Sequence, residues 1–399
     1  MNILFVNKFL YPRGGAETYF LKLGAYFERA GHQVSYFGMD DEKNTVGNAC
    51  GLYTQNMDFH SSKMQRFLYP FKILYSFDAY RKMKKLIHMF HPDVIHLNNI
   101  NFQLTPSIID AAWKAGVPVI QTVHDSQMVC PGHLLYRPST GQFCQRCVKG
   151  SKWNCVRYRC IHGSFVKSFL GSMEGILYSW KKNYDRVQLY ICPSKFMESV
   201  LLSKPRYRGK TRVIPNFIEL PDKDYGSKAD YILYFGRLSE EKGINSFLEL
   251  CDKFPDTSFK IAGNGPYEEE CRKRKNVEYL GLLTGEVLKK TIAQARFVIY
   301  PSICYENCPL SILEAISLGT PVISSSRGGS TELVDNGKTG ILIEEPFSVN
   351  KLEKVVKKLL EQPKRVEKMT QHCISSREKF FTLEKYGKEL ERIYQQIRG

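Results

Sequence analysis

Between residues 231 and 343, short apolar segments alternate regularly with segments of helical periodicity. The predicted elements, strand and helix in turn, are 231–235, 244–254, 259–262, 266–273, 277–279, 285–295, 297–300, 309–318, 321–324 and 341–343. Strands separated by helices must be joined by crossovers, which place neighbouring strands parallel. The alternation therefore predicts a parallel, doubly wound α/β domain in the second half of the chain.

The first half predicts a second domain of the same class. The predicted strands are 3–6, 33–37, 93–97, 118–123 and 187–192, and the predicted helices are 16–30, 104–115, 165–184 and 195–202. Residues 212–214 are predicted to lead into a hinge. A chain of 399 residues is long enough for two domains with separate cores. Two amphipathic segments, 349–360 and 383–397, predict further helices near the end of the chain.

Residues 296–318 combine a buried strand, a turn and the start of a helix. Parallel sheets bind anionic ligands where a strand ends in a turn before a helix N-terminus. Pro309 suits the first helical turn, so amide groups near Cys308, Pro309, Leu310 and Ser311 are predicted to meet phosphate. The turn therefore predicts a phosphate-binding site.

Two carboxylates bracket this turn, Glu306 before the helix and Glu314 within it. Carboxylates do not bind phosphate, but they accept hydrogen bonds from sugar hydroxyls. Glu306 is predicted to bind the donor sugar and Glu314 the ribose. The alternative for Glu314 is an acidic residue favoured by the helix dipole. Phosphate and hydroxyl sites together indicate a sugar nucleotide.

Two cations follow the first strand of the second domain. Arg237 stands after Gly236, and Lys242 stands before Gly243. Fixed at a strand end, they can clamp a diphosphate and stabilise the charge that it gains when its bond to the sugar breaks. The alternative is an arginine and a lysine on a solvated loop. We predict that both are catalytic.

Two glycines follow the next strand of the same domain. Gly263 and Gly265 are predicted to leave room for the nucleotide, and Val277 and Leu282 to line its base. No Asp-x-Asp pair stands at a strand end where a metal-dependent transferase would need it. We therefore expect no divalent ion in catalysis.

The order and spacing of these motifs resemble those of family 4 (group 1) retaining glycosyltransferases. The similar elements are the Glu306-x7-Glu314 pair after Pro-Ser, the sequence GRLSEEKG over 236–243, GNGP over 263–266, and VIPN over 213–216, which resembles the interdomain hinge. The family often has Gly-Phe-Gly where this chain has Asn307-Cys308-Pro309. This departure concerns the identity of the sugar and the shape of the loop.

The resemblance implies two Rossmann-like doubly wound domains that face each other across a cleft, the GT-B fold. Residues 1–214 would bind the acceptor and carry a cysteine-rich insertion at about 126–186. Residues 215–380 would bind the nucleotide sugar, and 381–399 would form a C-terminal helix that returns to the first domain. The resemblance also implies retention of anomeric configuration. No nucleophile is evident in the first domain, so we favour a front-face reaction.

Three residues of the first domain are assigned to the site through the same resemblance. Gly14 and Gly15 lie between the first strand and helix and resemble the family's Gly-Gly loop, so we assign them to donor binding. His124 ends a strand and is similar to a histidine that lies against the donor sugar. The alternatives are a tight turn and a capping or buried histidine. His91 and His96 are interpreted as structural.

Five cysteines fall within about thirty residues of the first domain. Cys144, Cys147, Cys155 and Cys160 form a Cys-x2-Cys-x7-Cys-x4-Cys pattern, and Cys130 precedes them. Short spacing between soft ligands indicates a structural zinc ion, with free thiols or a redox pair as alternatives. We predict zinc bound by the four, with Cys130 as a further candidate.

Positive charge is concentrated in the first half of the chain. Residues 1–214 hold 29 lysines and arginines against 13 acidic residues, and the remainder holds 28 against 27. Within residues 63–90, basic and aromatic residues are interleaved, which suits a membrane interface or a solvated helix with a buried aromatic face. The charge predicts an anionic partner for the first domain: a membrane surface, a diphosphate-linked acceptor or nucleic acid.

These features predict a transferase that moves a sugar from a UDP- or GDP-linked donor to a glycan acceptor. We expect the glycan to be lipid-linked and the reaction to belong to the synthesis of a cell-surface polysaccharide such as capsule or lipopolysaccharide. We expect the transferase in the cytoplasm, peripheral on the inner membrane face, since no apolar run of the sequence reaches a membrane span. The alternatives are a nucleic-acid-binding protein with a zinc-stapled basic domain and a nucleotide-sugar 2-epimerase of the same build. The two-carboxylate site has no role in nucleic-acid binding, so we expect no nucleic-acid partner.

Overall fold

The computed structural model describes residues 1–55, 74–137 and 139–398. The chain divides into two compact units, one formed by Met1–Asn216 with Leu383–Gly399 and the other by Phe217–Thr382. Of the basic and aromatic segment noted at 63–90, the part up to residue 73 lies outside the described residues. Its remainder contains a helix with a buried face, Phe77–Phe90.

The first unit contains a parallel sheet of six strands in the order β2-β1-β3-β4-β5-β6. The strands are β1 Asn2–Val6, β2 Gln33–Phe37, β3 Val94–Leu97, β4 Val119–Thr122, β5 Leu189–Cys192 and β6 Thr211–Val213. β1, β3 and β4 are buried almost throughout, as expected of a parallel sheet covered on both faces.

The helices of this unit are α1 Gly15–Arg29, α2 Phe77–Phe90, α3 Ser107–Lys114, α4 Arg146–Lys149, α5 Asn154–Arg157, α6 Phe165–Trp180, α7 Lys195–Leu202 and α15 Leu383–Arg398. The last of these packs on α1, and the hydroxyl groups of Tyr19 and Tyr386 lie 2.7 Å apart. On the same helix, Tyr394 Oη lies 2.6 Å from His96 Nδ1. The three tyrosines and the histidine are buried, so α15 contributes to the core of the first unit.

The second unit contains a parallel six-stranded sheet in the order β12-β11-β10-β7-β8-β9. The strands are β7 Ile232–Phe235, β8 Phe259–Ala262, β9 Val277–Gly281, β10 Phe297–Tyr300, β11 Val322–Ser325 and β12 Gly340–Ile343. The helices are α8 Ile244–Lys253, α9 Glu268–Arg272, α10 Gly285–Gln294, α11 Leu310–Ser317, α12 Ser330–Leu333, α13 Val349–Glu361 and α14 Pro363–Ser375.

Apolar clusters cover both faces of this second sheet. One packs Phe247 of α8 and Val356 of α13 against Phe259. The other packs Ile312 of α11 and Ile292 of α10 against Val298. Two Rossmann-like domains, the predicted fold class, are therefore confirmed.

Candidate active site in the second unit

The order of strands in the second sheet reverses between β7 and β10. These strands pair with each other, but the chain leaves β7 towards β8 on one side and leaves β10 towards β11 on the other. In such sheets a ligand binds outside the carboxyl ends of the strands at this point. The loops that leave these two ends carry Arg237 and Lys242 after β7, and Glu306 after β10. The sheet thus brings two predicted cations and one predicted carboxylate to one edge.

Lys242 and Glu306 form an ion pair at this edge. The Lys242 Nζ atom lies 2.6 Å from Glu306 Oε1, with 27% of the lysine side chain and 11% of the glutamate side chain exposed. The Tyr300 hydroxyl lies 3.5 Å from the same ammonium group. At 2.6 Å, the contact between the Lys242 ammonium group and the Glu306 carboxylate is a charge-assisted hydrogen bond. It holds Lys242 beside the end of β10.

The Glu306 carboxylate accepts two further hydrogen bonds on the same oxygen. Ser302 Oγ donates at 2.7 Å and Cys304 Sγ at 3.3 Å, both to Oε1. Burial acts to raise the pKa of Glu306, but the Lys242 charge and the hydroxyl donors outweigh burial and lower it. In Lys242, burial acts to lower the pKa, and the Glu306 charge raises it. Both groups are therefore ionised at neutral pH, and Oε2 retains capacity to accept a hydroxyl group.

The loop between β7 and α8 is folded tightly against the end of β10. Tyr234 Oη donates to the carbonyl oxygen of Arg237 at 2.9 Å and lies 3.5 Å from that of Lys242. Gly243 has φ 76°, and a Cβ atom there would lie 1.9 Å from the Pro301 carbonyl oxygen. Only glycine fits this contact. The Arg237 side chain is exposed and makes no hydrogen bond or ion pair with the described residues.

The two glycines after β8 pack against the β7 loop. Gly263 has φ 147°, and a Cβ atom there would lie 1.9 Å from the Gly236 carbonyl oxygen. A Cβ atom on Gly265 would lie 2.4 Å from the Leu238 carbonyl oxygen. Backbone packing between the two loops therefore accounts for both glycines. Their role in binding a nucleotide stays a prediction.

Helix α11 begins at the same edge of the sheet. Pro309 is its N-cap residue, in an extended conformation and without a side-chain cap. The amide groups of Leu310 and Ser311 donate to no acceptor among the described residues, whereas Ile312 N–H donates to the Pro309 carbonyl. Two amide groups thus remain for an anion. Cys308 is buried and Glu314 is half-buried.

An arginine that the sequence analysis did not select supports the β10 loop. Arg327, which is 8% exposed, pairs through two nitrogens with the Glu345 carboxylate and donates to the Ile303 carbonyl oxygen. Gly329 N–H donates at 2.8 Å to the Glu306 carbonyl oxygen. The signal in the sequence was Arg-Gly-Gly directly after a strand, the same kind of signal as Gly-Arg after β7.

Val277 does not reach this edge, so its assignment to the base-binding site was wrong. It begins β9 and pairs with Phe259 at the start of β8, a full strand length from the carboxyl ends. It is 8% exposed and belongs to the hydrophobic core. Its apolar character reflects burial in the sheet. Leu282, which follows the carboxyl end of β9, is exposed.

In the first unit, His124 follows the carboxyl end of β4. Its Nε2 atom lies 2.8 Å from Asn98 Oδ1, and its ring packs edge-on against Tyr19 with centroids 5.2 Å apart. Burial lowers the pKa of His124 to about 4, against the opposing charge of Asp125. The imidazole is therefore neutral at pH 7. It can act as a hydrogen-bonding group but not as a cation.

Gly14 and Gly15 lie at the start of α1, at the carboxyl end of β1. Gly14 is the N-cap residue of this helix, with φ −165°, and no side chain caps the helix. A Cβ atom on Gly14 would lie 3.4 Å from Glu17 Oε2, an ordinary contact. The backbone there does not require glycine, so the two residues stay candidates for ligand approach.

The predicted metal ligands lie in the segment between β4 and α6. All twelve cysteines of the chain are free thiols. Cys147 and Cys155 are buried, whereas Cys130, Cys144 and Cys160 are half-buried.

Among the described residues, no helix is at once long enough and apolar enough to cross a membrane.

Two family models match the chain, and together they span most of it. The model for Glycosyltransferase Family 4 matches residues 13–221. The model for Glycosyl transferases group 1 matches residues 219–375, which contain the Lys242–Glu306 pair.

Curated relatives agree with these matches. Alpha-D-kanosaminyltransferase of Streptomyces kanamyceticus is 29% identical over 177 residues, 42% of this chain, and the chain spans less than half of that relative, 45%. A protein encoded in the cps region of Klebsiella pneumoniae is 24% identical over 354 residues, 84% of this chain and 87% of that protein.

Two solved structures share the fold over almost the whole chain. Sucrose-phosphate synthase from Thermosynechococcus elongatus has a TM-score of 0.72 at 17% identity and covers 99% of this chain and 98% of its own. HepE of Anabaena, solved with UDP-glucose, has a TM-score of 0.68 at 17% identity, and the match covers 99% of this chain and 100% of HepE. The sequence-based identification is thus confirmed, and the chain belongs to glycosyltransferase family 4.

Proposed function

We propose that this protein is a retaining glycosyltransferase that uses a UDP- or GDP-linked sugar as its donor. The observation that carries the proposal is the Lys242–Glu306 ion pair at the switch point of the second sheet. A diphosphate bears more negative charge than a single carboxylate, so it competes effectively for Lys242. The HepE structure with UDP-glucose supports this class of donor.

The residues at this edge have distinct roles in the proposed reaction. Arg237 and Lys242 bind the diphosphate, and the amide groups of Leu310 and Ser311 add hydrogen bonds to phosphate oxygens. Glu306 accepts from a hydroxyl of the donor sugar through Oε2, while Glu314 accepts from the ribose. Charge on the diphosphate increases as the bond to the sugar breaks, so the cations stabilise the transition state more than the ground state.

We propose a front-face route for the transfer. The bond between the anomeric carbon and the diphosphate oxygen breaks, and the acceptor oxygen bonds to the same face of that carbon. The acceptor proton passes to the departing phosphate oxygen, so configuration is retained without a covalent intermediate. Neutral His124 donates or accepts a hydrogen bond at the sugar. A trapped covalent glycosyl-enzyme would refute this route.

In this proposal the acceptor is a lipid-linked glycan, and the first unit binds it. The transfer is a step in the synthesis of a cell-surface polysaccharide such as capsule or lipopolysaccharide. The cps-region relative supports this pathway. The net charge of the first 214 residues, 29 basic against 13 acidic, supports peripheral binding to an anionic membrane on the cytoplasmic side.

Donor binding and transfer are tested in one series. Thermal-shift screening against UDP- and GDP-linked sugars identifies the donor, and turnover is then measured with and without a crude lipid fraction. The proposal expects UDP or GDP release that depends on the lipid fraction, with the α or β configuration of the donor kept in the product. Release that is equal without any acceptor supports the 2-epimerase alternative instead.

Membrane binding needs a separate test. Flotation with neutral vesicles and with vesicles containing an anionic lipid is predicted to recover the protein only with the latter, and added salt is predicted to release it. Equal recovery from both kinds of vesicle contradicts the membrane proposal but leaves the donor site untouched.

A further inference from the structure

The cysteine-rich segment of the first unit has very little regular structure of its own. Between β4 and α6 it contains two helices of four residues each, α4 and α5. Four non-glycine residues in it have positive φ, namely His133, Leu135, Arg159 and His162. Such conformations cost free energy and persist only where surrounding contacts impose them. Something other than secondary structure must therefore hold this segment.

The interior of the segment is formed largely by thiols. The buried residues of α4 are Cys147 and Val148, and the buried residue of α5 is Cys155. Cys160 lies next to Cys155 in space, since its N–H donates to the Cys155 carbonyl oxygen at 3.0 Å. A Cβ atom on Gly132 would lie 3.0 Å from that of Cys160, which brings the Cys130 loop to the same place.

Cys147 and Cys130 belong to the same cluster. The Lys152 carbonyl oxygen accepts from Cys147 Sγ at 3.8 Å and from Cys155 N–H at 3.0 Å, so Cys147 and Cys155 share one acceptor. The close approach of Gly132 to Cys160 brings the Cys130 loop to the other side of Cys155 and Cys160. The sequence pattern ranked Cys130 behind Cys144, whereas these contacts connect Cys130 to the cluster through Gly132.

The turn that follows Cys130 is closed by backbone hydrogen bonds. His133 N–H donates to the Cys130 carbonyl oxygen at 2.9 Å, and Cys144 N–H donates to the Leu135 carbonyl oxygen at 2.8 Å. His133 and Leu135, two of the residues with positive φ, belong to this turn. Part of the strained backbone thus lies in the connection between Cys130 and Cys144.

The charge around the thiols is also suited to a metal thiolate centre. Residues 146–159 contain five basic residues and no acidic one. One divalent ion with four thiolates has a net charge of −2, which such surroundings stabilise. Four sulfur ligands in tetrahedral arrangement are typical of zinc.

We propose that Cys130, Cys147, Cys155 and Cys160 bind one structural Zn²⁺ ion that holds the segment between β4 and α6. Among the described residues, no three histidine, cysteine or carboxylate side chains already have coordinating geometry. Binding of the ion therefore requires the four thiols to move together, and each thiol releases its proton to solvent as its sulfur bonds to the metal.

Metal analysis of the full chain, purified without chelator, tests the proposal. We expect about one zinc ion per chain. Cys130→Ser and Cys160→Ser are predicted to lose it, whereas Cys144→Ser and Cys192→Ser, the latter a buried control in β5, are predicted to keep it. Wild-type protein without zinc overturns the proposal, as does iron in its place. Loss of zinc in Cys144→Ser with retention in Cys130→Ser overturns the ligand set.

A second measurement on the wild-type chain remains informative if a variant fails to fold. Replacement of the bound ion by Co²⁺ is predicted to give strong sulfur-to-cobalt charge-transfer absorption and the visible bands of a tetrahedral site. Weak octahedral bands contradict a four-thiolate site. A thiol titration that finds two fewer thiols without reductant contradicts it too, because it indicates a Cys155–Cys160 disulfide.

Discussion

Lys242 is paired with Glu306 across two loops, with Nζ and Oε1 2.6 Å apart, at the point where the second sheet reverses its strand order. The pair joins the two sequence motifs that first indicated a sugar-nucleotide site. It also means that the proposed donor meets a lysine with an existing partner. Binding is thus an exchange, in which Lys242 leaves or shares the carboxylate of Glu306 for the diphosphate.

The ion pair predicts a measurable coupling in stability. Lys242→Met leaves a largely buried carboxylate without its cation and is predicted to cost about 2–3 kcal/mol in the free energy of unfolding. The double variant Lys242→Met/Glu306→Gln is predicted to cost about 1–2 kcal/mol less than the sum of the single variants. Urea unfolding of the four proteins measures this cycle.

The control for this cycle is Lys253 with Glu353. Their charged atoms lie 3.0 Å apart, but both side chains are about one-third exposed or more. The same cycle there is predicted to give a coupling below about 1 kcal/mol. Additive costs at Lys242 and Glu306 would contradict the role assigned to their pair.

Two glycines with similar backbone conformation but different surroundings give a second prediction. Gly243 has φ 76° and faces the Pro301 carbonyl, whereas at Gly337, with φ 84°, an added Cβ atom would meet none of the described residues within 4 Å. Gly337→Ala is predicted to cost about 1 kcal/mol through backbone strain alone. Gly243→Ala is predicted to cost at least about 3 kcal/mol and to abolish turnover, because it displaces Lys242. Thermal unfolding and turnover of both variants test this; equal effects contradict it.

Glu174 on α6 predicts a pH dependence of stability. It is 4% exposed and accepts from Gln127 Nε2 at 3.1 Å. Burial raises its pKa from 4.5 to about 7, against the effects of His133 and Gln127. A raised pKa means that the folded state favours the protonated acid. The contribution of Glu174 to the free energy of unfolding is therefore complete below pH 4.5 and is lost as the pH rises to about 7.

The difference between the ordinary pKa of 4.5 and the raised pKa of about 7 corresponds to roughly 3 kcal/mol in the free energy of unfolding. Glu174→Gln removes the titrating group but keeps the shape and the acceptor oxygen. Relative to wild type, the variant is therefore predicted to gain stability between pH 5 and pH 8 in urea unfolding. A constant difference between the two proteins over this range shows that Glu174 does not titrate as described.

Catalysis is predicted to need no divalent ion, because Arg237 and Lys242 supply the positive charge at the diphosphate. Turnover of dialysed protein should be the same within about twofold with and without added Mg²⁺ or Mn²⁺. Arg237→Ala should reduce kcat by at least about 100-fold, as expected when one charge on the leaving group is removed. Strong activation by Mg²⁺ contradicts this division of roles.

The second domain was predictable from sequence because its central strands β7, β10 and β11 are buried throughout and its helices have one apolar face. The strands β7 to β12 and the helices α8, α10 and α11 lie where the periodicity of the sequence predicted them. The helix Pro363–Ser375 was missed, although its buried side chains Val366, Met369 and Cys373 have helical spacing. Polar residues occupy most of its other positions, and the stability of such a helix depends on tertiary packing.

Within the site, the sequence identified the charged groups but not what holds them. Lys242 and Glu306 follow strand ends, where function can be predicted from position. The Arg-Gly-Gly signal marks Arg327 but not its contact with the Ile303 carbonyl oxygen, which lies 24 residues away in sequence. Ser302 is only four residues from Glu306, but the sequence does not show that its hydroxyl donates to this carboxylate. Val277 shows the opposite failure, since an apolar residue in a strand is equally consistent with the core and with a base-binding surface.

The most direct test of the exchange is calorimetric titration of UDP or GDP, whichever the screen selects, into four proteins. Lys242→Met is predicted to bind at least about 10-fold more weakly than wild type, and the surface control Lys253→Met equally well. Glu306→Gln is predicted to bind the nucleotide as tightly as wild type or more tightly, because Lys242 no longer has a competing carboxylate. Wild-type affinity in Lys242→Met would contradict the account, since the diphosphate would then not bind at this lysine.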